Sequence, residues 1–169
     1  MATAQPKKHA RTPSVPRRDA ELLEQCALFD VHRLSRALTV LYNKHMRETG
    51  LTMAQFTLLR NIAALAPAGM TQIAEAMLMD RTSVTRLIEP LIQLGLLTTE
   101  PGVDRRVRNV IVTAQGLAAL ERSEHAWRQA QQEFYDCVGP EQWRATRGAL
   151  RTTLKMVREQ DGGHSPDRH

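Results

Sequence analysis

Aromatic side chains are scarce in this chain: Phe, Tyr and Trp make up 4% of its 169 residues. That scarcity, beside many Leu and Ala, argues against a β-rich fold and for helices. Cysteine is nearly absent. Cys26 and Cys137 stand far apart and in no CxxC arrangement, which excludes a zinc framework and fits a reducing compartment. No apolar run approaches the roughly 20 residues that cross a bilayer, and the amino terminus lacks the apolar core of a secretory signal. The expected location is the cytoplasm, with no membrane partner. Catalytic signatures are missing too. There is no GxSxG, P-loop or HExxH, and His9, His32, His45, His125, His164 and His169 lack metal-ligand spacing. No enzymatic activity, metal or cofactor is expected.

A net charge of +5 suggests a nucleic-acid binder, but its distribution matters more than its size. Residues 1–18 contain Lys7, Lys8, Arg11, Arg17 and Arg18 and no acid, which leaves 18 of the 23 basic residues against 18 acidic ones. Bulk charge therefore supports DNA binding only through a Pro-rich basic arm, expected to be disordered. The case rests on where the remaining arginines sit.

They sit in Met79 to Thr113. Asp80 is a good N-cap, and Val84, Leu87, Ile88, Leu91 and Leu94 then recur at helical spacing as a buried face. The other face offers Arg81, Thr82, Ser83, Thr85 and Arg86, and Gly95 ends the helix. Leu96 to Glu100 and Val107 to Val112 read as two strands joined by Pro101-Gly102-Val103-Asp104-Arg105-Arg106, whose composition is that of a turn. In the second strand Arg108 shares the parity of Val110 and Val112, so the alternation fails towards the tip. A polar, basic helix face suits the major groove, where hydroxyl and guanidinium groups reach base edges and phosphates. Adjacent arginines on a hairpin tip suit the narrow minor groove. Pro90 falls inside the helix, so the helix is expected either to kink there or to end its reading half near Glu89.

The rest of the chain frames this module. Residues 19–48 read as a long helix with Leu23, Ala27, Leu34, Leu38 and Leu41 on one stripe. Thr52 and Gln55 match a capping box that starts a second helix through Phe56, Leu59 and Ile62. Pro67-Ala68-Gly69 ends that helix, and Thr71 is expected to cap a short third one over 72–78. Short helix, tight turn and second helix is helix-turn-helix order. Thr113 caps a long helix carrying Leu117, Leu120, Trp127, Phe134 and Val138. After Gly139-Pro140 a last helix runs from about Glu141 to Gln160, and residues 161–169 form a polar, flexible tail. The fold class is mainly α: residues 49–113 form a winged helix-turn-helix with a small β-hairpin wing. Long helices over 19–48 and 114–160 flank it, and a second copy would bury their apolar stripes.

This order of elements resembles the MarR family of bacterial transcriptional regulators. The residues that carry the resemblance are Gly50-Leu51-Thr52 with Gln55-Phe56 and Leu58-Leu59, then Met79 through Arg86. Gly95-Leu96, Asp104-Arg105-Arg106 and Thr113-Ala114-Gln115-Gly116 complete it. The resemblance covers about residues 20–160. It implies a homodimer, acting as a repressor on a pseudo-palindromic stretch of double-stranded DNA, with each recognition helix in a major groove and each wing in a flanking minor groove. On the family pattern Arg106 enters the minor groove, Asp104 directs it and Arg105 adjoins it. Ser83, Thr85 and Arg86 meet bases and phosphates, with Thr82 beside them on the DNA-binding face and Arg81 near the backbone.

The resemblance also implies release by a small ligand, here an aromatic or carboxylated compound. The candidate lining is Phe29, His32, Arg36, Met53 and Phe56, with Arg33, Tyr42, His45 and Arg60 nearby; for each, a surface or interface role is the simpler account. Two other readings stay open. Peroxide-sensing members carry a reactive cysteine near the start of the first helix, but ungapped alignment puts Leu28 rather than Cys26 there, and a small buried cysteine is the simpler account. A winged helix used for protein–protein contact would not need Arg106 and would bind DNA weakly, without regard to sequence.

Overall fold

The computed structural model describes residues 22, 24–102 and 108–160. Helix α1 spans Ala27–Met46 and passes through a 3-10 turn, Arg47–Thr49, to Gly50. Helix α2 (Met53–Leu65), strand β1 (Ala68–Gly69), helix α3 (Met70–Met77) and helix α4 (Arg81–Gln93) follow. Strands β2 (Leu97–Pro101) and β3 (Arg108–Val112) come next, then helices α5 (Ala114–Val138) and α6 (Pro140–Gln160). The architecture is a winged helix-turn-helix with long helices before and after it. The chain divides into two compact units, residues 1–38 and 39–169, with the division inside α1.

In the first unit the apolar stripe predicted an unbroken helix from Asp19. The helix instead breaks at Gln25 and Cys26, and the ladder starts again where the Asp30 N–H reaches the Cys26 carbonyl at 3.2 Å. Asp30 in the first turn complements the positive end of the helix dipole. Leu28, Phe29, Val31 and Leu34 are all exposed.

The core of the second unit lies under the helix-turn-helix. Phe56, Leu59 and Ile62 of α2 meet Ile73 and Ala74 of α3, Val84, Ile88 and Leu91 of α4, and Leu97 and Val110 of the wing. The expected capping box forms: Thr52 Oγ1 accepts the Gln55 N–H at 3.3 Å, and Gln55 Oε1 accepts the Thr52 N–H at 2.9 Å. The third helix departs from expectation, for it starts at Met70 rather than beyond Thr71. The cause is pairing. Ala68 and Gly69 add a third strand to the wing sheet, in the order β1-β3-β2, with Ala68 opposite Val110 and Gly69 opposite Asn109. This leaves Gly69 extended, and the Gln72 side chain accepts its N–H at 3.0 Å.

Helix α5 leaves the wing through Thr113 and Gly116. A Cβ on Gly116 would lie 2.2 Å from the Leu96 carbonyl oxygen, so only glycine lets the helix start this close to the strand. Helix α5 is tied back to the end of α1 and to α2 by polar contacts. Tyr42 Oη donates to Gln131 Oε1 at 2.8 Å, Lys44 and His45 reach Glu133 at 3.1 and 2.6 Å, and Arg60 approaches Glu124 at 3.9 Å. Helix α6 turns off at Gly139, with Trp143 edge-on to Phe134 at 5.0 Å between ring centres. None of its described residues is buried.

Candidate nucleic-acid interface

The turn between α3 and α4 is built without glycine. Leu78 adopts the left-handed conformation at φ 52°, and the N–H groups of Leu78 and Met79 close back onto the Glu75 and Ala74 carbonyls at 3.2 and 2.9 Å. Asp80 then starts α4. Its Oδ1 accepts the Ser83 N–H at 2.8 Å and its Oδ2 accepts the Ser83 hydroxyl at 2.6 Å. These bonds, the hydroxyl first, hold the Asp80 carboxyl below its ordinary value. The helix therefore begins at a defined residue and presents its first two turns in a fixed register.

The apolar periodicity buries Val84, Ile88 and Leu91 against the core, while Arg81, Thr82, Arg86, Glu89 and Pro90 face outward. Ser83 and Thr85 are half-buried. Their hydroxyl protons are spent on the helix itself, Ser83 on the cap and Thr85 on the Arg81 carbonyl at 2.8 Å. In this state Ser83 and Thr85 can offer an incoming group only acceptor capacity, whereas Arg81 and Arg86 keep charged donors outside. The helix does not end at Pro90. It runs on to Gln93, and Gly95 at φ 69° stops it. Arg86 and Pro90 are both exposed, so the bond that proline removes is lost on the solvent side rather than in the core.

Beside α4 stands the wing, with Leu97 opposite Val112 and, at its far end, Pro101 opposite Arg108. Asp104, Arg105 and Arg106 lie outside the described residues. Arg108, which the alternation singled out only as an irregularity, has a definite place. Its Nε and Nη2 donate to Thr99 Oγ1 at 3.1 and 2.8 Å, and Nη2 also reaches the Thr99 carbonyl at 3.3 Å. It lies on the face of Val110 because the parity demands it, but one step beyond the point where the core ends.

The residues considered for an effector fall into both units. Phe29, His32 and Arg36 lie on α1 in the first, exposed, with the Arg33 guanidinium 5.5 Å from the Phe29 ring centre. Met53 and Phe56 lie on α2 in the second. Met53 gives its N–H to Asn43 Oδ1 at 2.8 Å. Phe56 is 2% exposed, stacked on Trp127 at 6.4 Å and covered by the Arg60 guanidinium at 5.6 Å. Tyr42, His45 and Arg60 are engaged with α5 as described above. Burial, and next the charge of Tyr135, push the Tyr42 phenol up, while the bonds from His45 and then Lys44 hold the Glu133 carboxyl down. Cys26 is half-buried and Cys137 exposed, both as free thiols. Among the described residues no three metal-ligating side chains come together, and no helix is long and apolar enough to cross a membrane.

Comparison with known proteins agrees with this geometry. Residues 49–107 match the model of the MarR family. An uncharacterised helix-turn-helix-type transcriptional regulator of Bacillus cereus is 27% identical over 106 residues, 63% of this chain and 71% of that protein. The crystal structure of the Mycobacterium tuberculosis transcriptional regulator MosR in complex with DNA is 31% identical. It superimposes with a TM-score of 0.68 over 79% of this chain and 99% of that one. Bordetella bronchiseptica BpsR, whose DNA binding is regulated by 6-hydroxynicotinic acid, is 22% identical with a TM-score of 0.70. The match covers 78% of this chain and 94% of that one.

Proposed function

The chain belongs to the MarR family of transcriptional regulators, and from that premise we propose that it is a homodimeric repressor released from a pseudo-palindromic operator by a small ligand. One observation carries the DNA contact. A capped, fixed helix presents Arg81, Thr82 and Arg86 to the outside directly beside a hairpin wing. On this reading residues 49–113 form the DNA-binding domain. Thr82, Ser83, Thr85 and Arg86 face the major groove with Arg81 near the backbone, and Asp104, Arg105 and Arg106 carry the wing tip into the minor groove. The crystallisation of MosR with DNA supports it.

Dimerisation is assigned to the helices over 19–48 and 114–160. Exposed Leu150, Leu154 and Val157 on α6 support it, since an apolar stripe at helical spacing is normally covered. Two recognition helices on a twofold axis then span half-sites about 10 base pairs apart. The effector is taken to be a small aromatic or carboxylated compound meeting some of Phe29, His32, Arg36, Met53 and Phe56. The response of BpsR to an aromatic acid supports that chemistry.

Fluorescence anisotropy on DNA from immediately upstream of the gene, against a scrambled duplex at near-physiological salt, tests the reading. Selective binding is expected, weakened by Arg106→Ala and reversed by an aromatic acid. Equal, weak binding to both duplexes would leave only the basic arm as the cause and favour a protein-contact role.

A further inference from the structure

Between the wing and the helix-turn-helix lies an open cleft of about 640 Å3, whose lining includes Thr71 and Gln72 of α3, Arg81 of α4, and Arg108 and Asn109 of β3. Two arginines therefore line one space, and no carboxylate is among the described residues that line it. The rest of the second unit treats many of its cations differently. Lys44 is matched by Glu133, Arg60 and Arg128 by Glu124, and Arg144 by Glu141. Among the described residues Arg81 and Arg108 have no such partner. A pair of unneutralised arginines on a concave surface is an anion site left open.

Arg108 is also held. Its Nε and Nη2 are committed to Thr99 across the wing, which fixes the guanidinium plane and leaves the Nη1 donors for an acceptor from outside. An arginine whose plane is already fixed loses less freedom when it binds a tetrahedral oxyanion. Gln72 already caps the amino end of α3, so the two arginines supply the charge. Thr71 adds a hydroxyl at the edge.

We propose that this cleft seats a phosphate of the DNA backbone, held by Arg108 from the wing and Arg81 from the recognition helix, with Thr99 as the residue that positions Arg108. The inference rests on the DNA-binding reading above and adds a sequence-independent anchor to it. The seat ties β3 and α4 to the duplex through one charge, so the two elements meet it at a set separation. Phosphate contacts of this kind fix register and carry no base preference.

The test is a salt series by fluorescence anisotropy with the full chain, on the upstream duplex and on its scrambled counterpart, for wild type, Arg108→Ala, Arg108→Lys and Thr99→Val. Losing the seat in both protomers removes two phosphate contacts per bound dimer and should make the slope of log K against log salt shallower by about 1.8. Arg108→Ala is expected to do so and to weaken both duplexes by the same factor, roughly 5- to 10-fold at low salt. Arg108→Lys should keep the wild-type slope. Thr99→Val should also keep it, because the charge remains, while weakening both duplexes by roughly 2- to 3-fold through lost positioning. An unchanged slope in Arg108→Ala overturns the seat alone, as does a loss confined to the upstream duplex, which would mean base reading. Wild-type protein that binds neither duplex overturns the DNA-binding reading and the seat with it.

Discussion

The Thr113 hydroxyl donates to the Gly95 carbonyl at 2.6 Å and accepts the Gly116 N–H at 3.0 Å. One side chain thus closes the end of the recognition helix and opens the long helix that follows the wing. The Thr113 N–H also reaches the Leu96 carbonyl at 3.1 Å, so both edges of the wing are pinned at this point. Thr113→Val keeps the shape and removes both hydroxyl bonds. It should lower stability by about 1–2 kcal/mol, from one lost cap and one orphaned carbonyl. Urea unfolding at matched protein concentration should show a lower midpoint at an unchanged slope. Thr113→Ser, which keeps the hydroxyl, should stay close to wild type.

Gly116→Ala acts at the same junction by a different cause. The added methyl would lie 2.2 Å from the Leu96 carbonyl oxygen and 2.7 Å from Val112 Cγ1. The first of these is backbone and cannot swing aside, so α5 must shift relative to the wing. A loss of about 2–3 kcal/mol is expected. Thermal melting indistinguishable from wild type would mean that the start of α5 and the Leu96 carbonyl are not in close contact.

Asp80 sets the pH response of α4. Its carboxyl is held below its ordinary value of 3.8 chiefly by the Ser83 hydroxyl and then by the Ser83 N–H. A depressed carboxylate stabilises the fold fully above its unfolded value, and that stabilisation disappears as pH falls through the folded one. The contribution is therefore constant from neutral pH down to about pH 5 and lost below the ordinary Asp range. Asp80→Asn keeps a capping oxygen but cannot titrate. Its stability, followed by circular dichroism against pH, should fall less steeply than wild type on the acid side. Parallel acid limbs would rule out the cap as the titrating element.

What the sequence discloses and what it hides divide along physical lines. The start and stop of α4, the Thr52–Gln55 box and the Thr113 cap are local. Each is a polar or glycine residue within three positions of the group it serves, so spacing along the chain finds it. Strand β1 is not local, because its two residues pair with Asn109 and Val110 some forty positions on and carry no pattern of their own. The early start of α3 depends on that pairing and is no more legible than the pairing itself. Arg108 looked like a flaw in an alternation. Its meaning needed Thr99, which only the hairpin register brings near. The exposed arginines of α4 were legible from periodicity. That Ser83 and Thr85 spend their hydroxyls on their own helix is not, because a hydroxyl can serve its own helix or an outside group with equal ease.

The dimer reading makes the sharpest demand on a single side chain. Leu150, Leu154 and Val157 are 40%, 46% and 54% exposed, and they follow one another at helical spacing on a helix with no buried described residue. A carboxylate placed in their midst adds little strain to an isolated chain, since each side chain already meets solvent. In a paired interface the same carboxylate would be stripped of water opposite apolar groups, and breaking such an interface needs only a few kcal/mol. Leu154→Glu should therefore leave helicity intact while shifting the sedimenting species from twice the 19.0 kDa chain mass to the chain mass itself. With the two recognition helices uncoupled, affinity for a two-half-site duplex should fall by roughly 100-fold or more, because the second contact no longer benefits from the first. A wild-type chain that sediments at its own mass would sink the dimer reading outright. A Leu154→Glu protein that stays dimeric would move the interface off α6 and onto the exposed apolar side chains of α1.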